Sequence, residues 1–226
     1  MNRLFRALQR VGAAPFTLCC VTDDPAGILP EVRVFPIPDL PVIGNEVMNR
    51  GWRKLALFAP ELRRHISGPV LYLDLDVILL KSLDGFFLPA TPFAVIKDYK
   101  RFRWRNFRTG NTSVFLYAAD RDYGVYDRLI ELGASVKEQF RNEQEFLTDA
   151  MWRQGLLNYW PRNWCASYKY QCVPGFPFSL WETPSPPAGA HVLVFHGRPK
   201  PEEAVQGVGA KWYRPMKPAS WLADYL

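Results

Sequence analysis

A chain of 226 residues, 48% hydrophobic and 22% charged, can build a sizeable core, and its composition excludes wholesale disorder. No apolar run approaches the roughly 20 residues a membrane-spanning helix needs, and Arg3, Arg6 and Arg10 break up the N-terminal segment, so it does not read as a signal peptide. The net charge of +6 favours anionic partners, whether nucleotide phosphates, nucleic acid or an acidic membrane surface, without choosing among them.

In chain order, residues 2–12 read as a helix with Leu4, Phe5, Leu8 and Val11 on one face and the arginines elsewhere. "FTLCCVT" (16–22) and "EVRVFPI" (31–37) read as strands, the first closed by the turn signal "DDPAG". Cys19 and Cys20, adjacent in that first strand, read as small core residues, while Cys165 and Cys172 lack a CxxC zinc spacing. No disulfide framework is expected, and the expected compartment is the cytoplasm. Residues 51–64 place Trp52, Leu55, Phe58 and Leu62 at helical spacing, and "VLYLDLDVILL" (70–80) follows as a buried strand. Further strands are expected at 93–97, 112–117 and 191–195, with helices at 120–133 and 142–154. Helices alternating with continuous apolar strands predict an α/β fold with a mostly parallel sheet flanked by helices, in one domain over 1–226.

The strand at 70–80 poses a question, because an apolar run should not carry two bare carboxylates. In an extended strand Asp74 and Asp76 would share a face, about 6–7 Å apart at a rise of roughly 3.3 Å per residue. At an effective dielectric of about 20 their repulsion would be about 2–3 kcal/mol, and desolvation would add to it. One carboxyl can protonate, or a cation can sit between them. A divalent ion answers both penalties, and oxygen ligands suit Mn²⁺ or Mg²⁺. The alternative is that the strand ends at Leu73 and the acids are solvated or cap a turn. A second apolar strand, "HVLVFHGRPK" (191–200), closes on His196, Gly197, Arg198, Pro199 and Lys200. An imidazole, a side-chain-free residue and an ammonium at one strand end can complete a metal site and hold phosphate oxygens.

"LYLDLD" (71–76), "GNTSVFLY" (110–117), "NEQEFLTDA" (142–150) and "HVLVFHGRPKPEE" (191–203) occur in that order. Together they resemble the GT-A glycosyltransferases of family 8 type and related bacterial enzymes of surface-polysaccharide synthesis, over about residues 16–205. The resemblance implies a GT-A-like, Rossmann-like fold that transfers a sugar from a nucleotide-sugar donor, a UDP-sugar, to a glycan or lipid-linked acceptor with retention of configuration. It implies Asp74, Asp76 and His196 as ligands of Mn²⁺ or Mg²⁺, and Asp74, Gly197 and Lys200 against the donor, with Lys54 where these enzymes often carry a donor-binding arginine. It places Asn111 near the sugar and Gln144 near the anomeric carbon, with Glu143 and Glu145 on sugar hydroxyls and Asp98 on the acceptor side. Read without it, Glu143 to Glu145 are acids at a helix start, favourable to the dipole. One departure from the family is expected: Met1 opens directly on the first helix, without the usual first strand that contacts the nucleotide base, so that either the sequence is a truncated form or the base pocket is built differently.

"KDYKRFRWRNFR" (97–108) interleaves basic and aromatic residues. The pattern suits bases stacked along a phosphate backbone, an anionic acceptor or membrane surface, or a solvated loop. The basic first helix and an aromatic C-terminal extension over about 205–226 extend the membrane option to peripheral contact at the inner face. No recognised nucleic-acid module is present. The rival functions are therefore a nucleotide-sugar binder without catalysis and a basic-aromatic nucleic-acid binder.

Overall fold

Helices and short apolar strands are interspersed along the described residues. The computed structural model describes residues 1–12, 14–40, 51–99, 108–209 and 215–226. In chain order the elements are α1 (Asn2–Arg10), β1 (Cys19–Val21), β2 (Arg33–Phe35), a 3₁₀ turn (Trp52–Phe58), α2 (Pro60–Arg63), β3 (Pro69–Leu73) and β4 (Val77–Leu79). Then come β5 (Phe93–Lys97), β6 (Gly110–Ala118), α3 (Val125–Leu132), α4 (Val136–Gln139), α5 (Glu143–Arg153), β7 (Cys165–Ser167), β8 (Val192–Val194), α6 (Pro201–Gln206) and a closing 3₁₀ turn (Ser220–Tyr225).

The helix expected over 51–64 is broken. Pro60 forces the preceding Ala59 into extended backbone, with φ −68° and ψ 143°. Likewise α3 starts at Val125 rather than 120, because Gly124 enters it at φ +60°. Strand β7 lies where no strand is expected.

The chain forms two compact units, each assembled from separate segments: one from 1–16, 73–88 and 160–226, the other from 17–72 and 89–159. In the second unit, β1 pairs parallel with β2, and a three-stranded sheet runs β3–β6–β5 with β6 in the centre. β5 and β6 are antiparallel. Phe93, Val95, Phe115, Phe146 and Met151 are fully buried in its core. In the first unit, β8 lies between β4 and β7, antiparallel to the former and parallel to the latter. Its core holds Ile78, Ala166, Tyr168, Leu193 and Leu222. The fold is α/β, as expected; the pairing is mixed rather than mostly parallel, a distinction that continuous apolar runs do not carry.

The β5–β6 pair is tight at one point. A Cβ placed on Gly110 would lie 2.7 Å from Val95 Cγ1 and 3.1 Å from the Ile96 carbonyl oxygen. Gly110→Ala is therefore expected to destabilise the protein by about 1–3 kcal/mol, a melting-point fall of about 2–4 °C per kcal/mol at this chain length, measured by thermal unfolding.

In the first unit the basic first helix is largely engaged by its own chain. Arg3 reaches Glu202 at 3.0 Å and the Leu75 carbonyl at 3.1 Å. Arg10 donates to the Asp224 carbonyl at 2.9 Å and lies over the Tyr225 ring at 4.7 Å. Trp221 of the C-terminal extension donates to the Pro184 carbonyl at 2.8 Å. Among the described residues, no helix is long and apolar enough to cross a membrane.

Candidate functional site

The two aspartates stand in a turn, not in a continuous strand. β3 ends at Leu73 and β4 begins at Val77, and the two strands join different sheets. The Val77 N–H closes the turn on the Asp74 carbonyl at 3.4 Å. Leu75, between the acids, is 58% exposed, and both acids are half-buried. This corrects the expected face-sharing pair: the chain avoids the cost of two carboxylates in a buried strand by breaking the strand there. The neutralising cation for Asp76 comes from elsewhere in the chain. Lys200 Nζ lies 2.8 Å from Asp76 Oδ2, across 124 residues of sequence.

Lys200 reaches that place because the segment after β8 is shaped to present it. Gly197 adopts φ +76°, and a Cβ there would touch nothing, so the demand is conformational rather than steric. Pro201 opens α6, and Glu203 accepts the Lys200 N–H at 2.8 Å. The same carboxylate pairs with Arg198 at 3.1 Å. His196 is held from two sides: its Nε2 is 2.7 Å from Ser167 Oγ, and its ring stacks on Tyr170, with centroids 5.3 Å apart and planes at 30°. Neither Ser167 nor Tyr170 stood out in the sequence, since each meets His196 through a tertiary contact without a motif of its own.

Among the described residues, no three His, Cys, Asp or Glu side chains gather into a group able to hold a metal ion. The expected centre of Asp74, Asp76 and His196 is thus not assembled; Lys200 holds Asp76 and Ser167 holds His196. The carboxylates of the acid turn remain hard oxygen donors whose chemistry suits Mn²⁺ or Mg²⁺. None of the four cysteines is in a disulfide. Burial raises the Cys165 thiol far above its ordinary value and pushes Cys172 up to about 12, so both are protonated at neutral pH.

The remaining expected residues lie in the second unit. Between Val95 and Ile96 the partner on β6 jumps from Phe115 to Asn111, leaving a bulge over 112–114. Asn111 is buried there, and its Oδ1 accepts the Ser113 N–H at 3.0 Å. In the bulge, Thr112 links a cation to an acid. Lys54 Nζ donates to the Thr112 carbonyl at 3.0 Å and to its Oγ1 at 3.3 Å, and that hydroxyl lies 3.3 Å from Glu143 Oε1. The Lys54 ammonium also sits 4.8 Å from the centre of the Tyr72 ring. Glu143, only 7% exposed, opens α5.

The helix-start reading of this segment is partly met. Asn142 Oδ1 caps α5 by accepting the Glu145 N–H at 3.1 Å. Glu145 is buried, its Oε2 accepts the Arg141 N–H at 3.1 Å, and it also pairs with the Arg141 guanidinium, whose pKa that contact raises. The carboxylate of Glu145 is therefore engaged by Arg141. Gln144 lies half-buried between the two acids. Asp98 donates its N–H to the Thr109 carbonyl at 3.3 Å. Of the basic aromatic stretch, residues 100–107 lie outside the described residues; at its ends, Lys97 sits over Tyr159 and Arg108 over Trp152.

No protein-family model matches the chain, and no match is found among curated proteins. Solved structures do match. An active-site mutant of LgtC aligns over 99% of this chain and 89% of its own, with a TM-score of 0.62 and 11% identity. The galactosyltransferase LgtC, in complex with donor and acceptor sugar analogues, aligns over 87% of this chain and 74% of its own, with a TM-score of 0.53 and 15% identity. The fold of this chain is GT-A-like.

Proposed function

We propose that the protein transfers a sugar from a nucleotide-sugar donor, a UDP-sugar, to a glycan or lipid-linked acceptor, and that the acid turn and the loop after β8 bind the donor's diphosphate. The observation that carries this reading is the 2.8 Å contact between Asp76 and Lys200. It joins, inside one unit, the two sequence segments most characteristic of the GT-A resemblance. The likeness to LgtC, a galactosyltransferase by its description, supports the same class of chemistry.

Breaking a sugar–diphosphate bond builds negative charge on the departing phosphate, and catalysis needs positive groups placed where that charge develops. Lys200 supplies an ammonium, and Gly197 lets backbone approach phosphate oxygens without a side chain in the way. Asp74 and Asp76 would hold Mn²⁺ or Mg²⁺, which when bound supplies Lewis-acid stabilisation of the leaving diphosphate. Membership in family 8 rests on the motifs, and retention is the stereochemistry that membership implies. The roles it gives to Asn111, Glu143 and Gln144, at the sugar end of the reaction, are tested by their variants: transfer is lost while UDP affinity is kept.

A thermal-shift screen of nucleotide sugars, with and without Mn²⁺, tests the whole reading. One donor base is expected to raise the melting point only when the metal is present, by the binding energy the ligand adds to the folded state. Binding without transfer or hydrolysis of that donor would indicate a nucleotide-sugar binder instead. No stabilisation by any nucleotide sugar would reject the reading.

A further inference from the structure

One loop of the first unit has its polarity inside out. Residues 172–185 leave and return at one place, where the Ser185 N–H donates to the Cys172 carbonyl at 3.1 Å. The Trp221 indole fastens the base through its bond to the Pro184 carbonyl. Closed surface loops of this kind are frequently functional. Ser179 is buried within it, and its hydroxyl has no partner among the described residues. Phe176, Phe178, Leu180 and Trp181 are instead 45–71% exposed. Single exposed apolar residues are ordinary. Four in one short loop, with the Phe178 and Trp181 rings edge to face at 6.1 Å between centres, form a patch that calls for a partner.

Two features identify that partner's chemistry. The first is a backbone that is already satisfied at the tip. The N–H groups of Ser179, Leu180, Trp181 and Glu182 donate to the carbonyls of Gly175, Pro177 and Phe178 at 2.9–3.2 Å, and Pro174 and Pro177 have no N–H to satisfy. A segment that meets hydrocarbon needs its polar backbone closed in this way. The second is charge. Glu182 is the sole ionisable side chain in residues 173–187, while Lys169 precedes the loop and the exposed Lys217 lies in the segment that fastens it. Apolar rings with basic neighbours match a bilayer, whose interface favours tryptophan and whose anionic headgroups attract lysine. We propose that the loop over 172–185 seats the protein on a lipid bilayer, with Phe176, Phe178, Leu180 and Trp181 entering the interface. It is a different part of the chain from the first helix, whose Arg3 and Arg10 bond within the protein. The contact stands apart from sugar transfer; combined with that reading, it brings the chain to lipid-linked acceptors.

Sedimentation with vesicles, in the absence of nucleotide and metal, tests this. The wild-type protein should bind phosphatidylcholine vesicles and bind more tightly when phosphatidylglycerol is included. Phe176→Ser combined with Trp181→Ser should weaken binding to both at least about tenfold, since two large side chains lose their burial. Both positions are exposed, so the melting point of that variant should stay within about 4 °C of the wild type. Trp181→Phe should keep the binding and reduce the quenching of tryptophan fluorescence by bromine-labelled lipid. Failure of the wild type to bind either vesicle overturns the inference; if the chain then dimerises in sedimentation velocity and the double variant does not, the patch belongs to a second copy. Equal binding by the double variant also overturns it, and puts the membrane contact on basic residues elsewhere. Because no nucleotide is present, either failure leaves the transferase reading untouched.

Discussion

Asp76→Asn is expected to lower sugar transfer by about 10²–10³-fold, the scale on which single charge-stabilising groups act in transition states, while the protein stays folded. The two halves of that expectation have different physical sources. The amide cannot neutralise a divalent ion, nor can it balance Lys200 as the leaving diphosphate takes up charge. Stability, by contrast, barely depends on the carboxylate. The Asp76 and Lys200 side chains are 34% and 49% exposed, and solvent-exposed pairs of this kind contribute at most about 1 kcal/mol. The melting point should therefore move by no more than about 4 °C. Steady-state transfer kinetics beside a thermal melt separate the two, and a variant that keeps full activity would remove Asp76 from the chemistry.

Lys54→Met is expected to do the reverse, costing stability first. The ammonium makes two hydrogen bonds to Thr112 and faces the Tyr72 ring. Through the Thr112 hydroxyl it is linked to Glu143, which has little access to water. Hydrogen bonds to charged groups contribute about 1.5–3 kcal/mol, so a loss of about 2–3 kcal/mol follows, read as a melting point lower by roughly 4–12 °C. Neighbours in one network do not add independently. Lys54→Met combined with Glu143→Gln should therefore cost less than the sum of the two single changes in a double-mutant cycle. Strict additivity would show that Lys54 and Glu143 are not coupled through Thr112.

Periodicity and apolar runs located β5 to the residue and β1, β2, β6 and β8 within a few positions, because burial of alternating or continuous apolar side chains is a local signal. The acid pair was legible as an anomaly and its environment was not. "LYLDLDVILL" reads as one strand because Leu and Val dominate it, and only the assembly of two sheets shows that the chain turns between Asp74 and Asp76. Lys200 stood out through its place after an apolar strand and a glycine; its pairing with Asp76 depends on how β4 and β8 come side by side. The helix at 51–64 failed at Pro60, where proline chemistry outweighs helical spacing. Ser167 was invisible because a serine at a strand end has no pattern of its own. Its importance comes from the ring placed beside it by a residue 29 positions away.

Calorimetric titration of UDP with Mn²⁺ into the wild-type protein, Lys200→Ala and Asp76→Asn tests the donor site most directly. The expected result is saturable binding to the wild type that depends on the metal, weakened at least about tenfold in each variant, a loss of about 1.4 kcal/mol or more. Equal affinity in all three proteins would place the nucleotide somewhere other than the acid turn and the loop after β8, and would contradict the account.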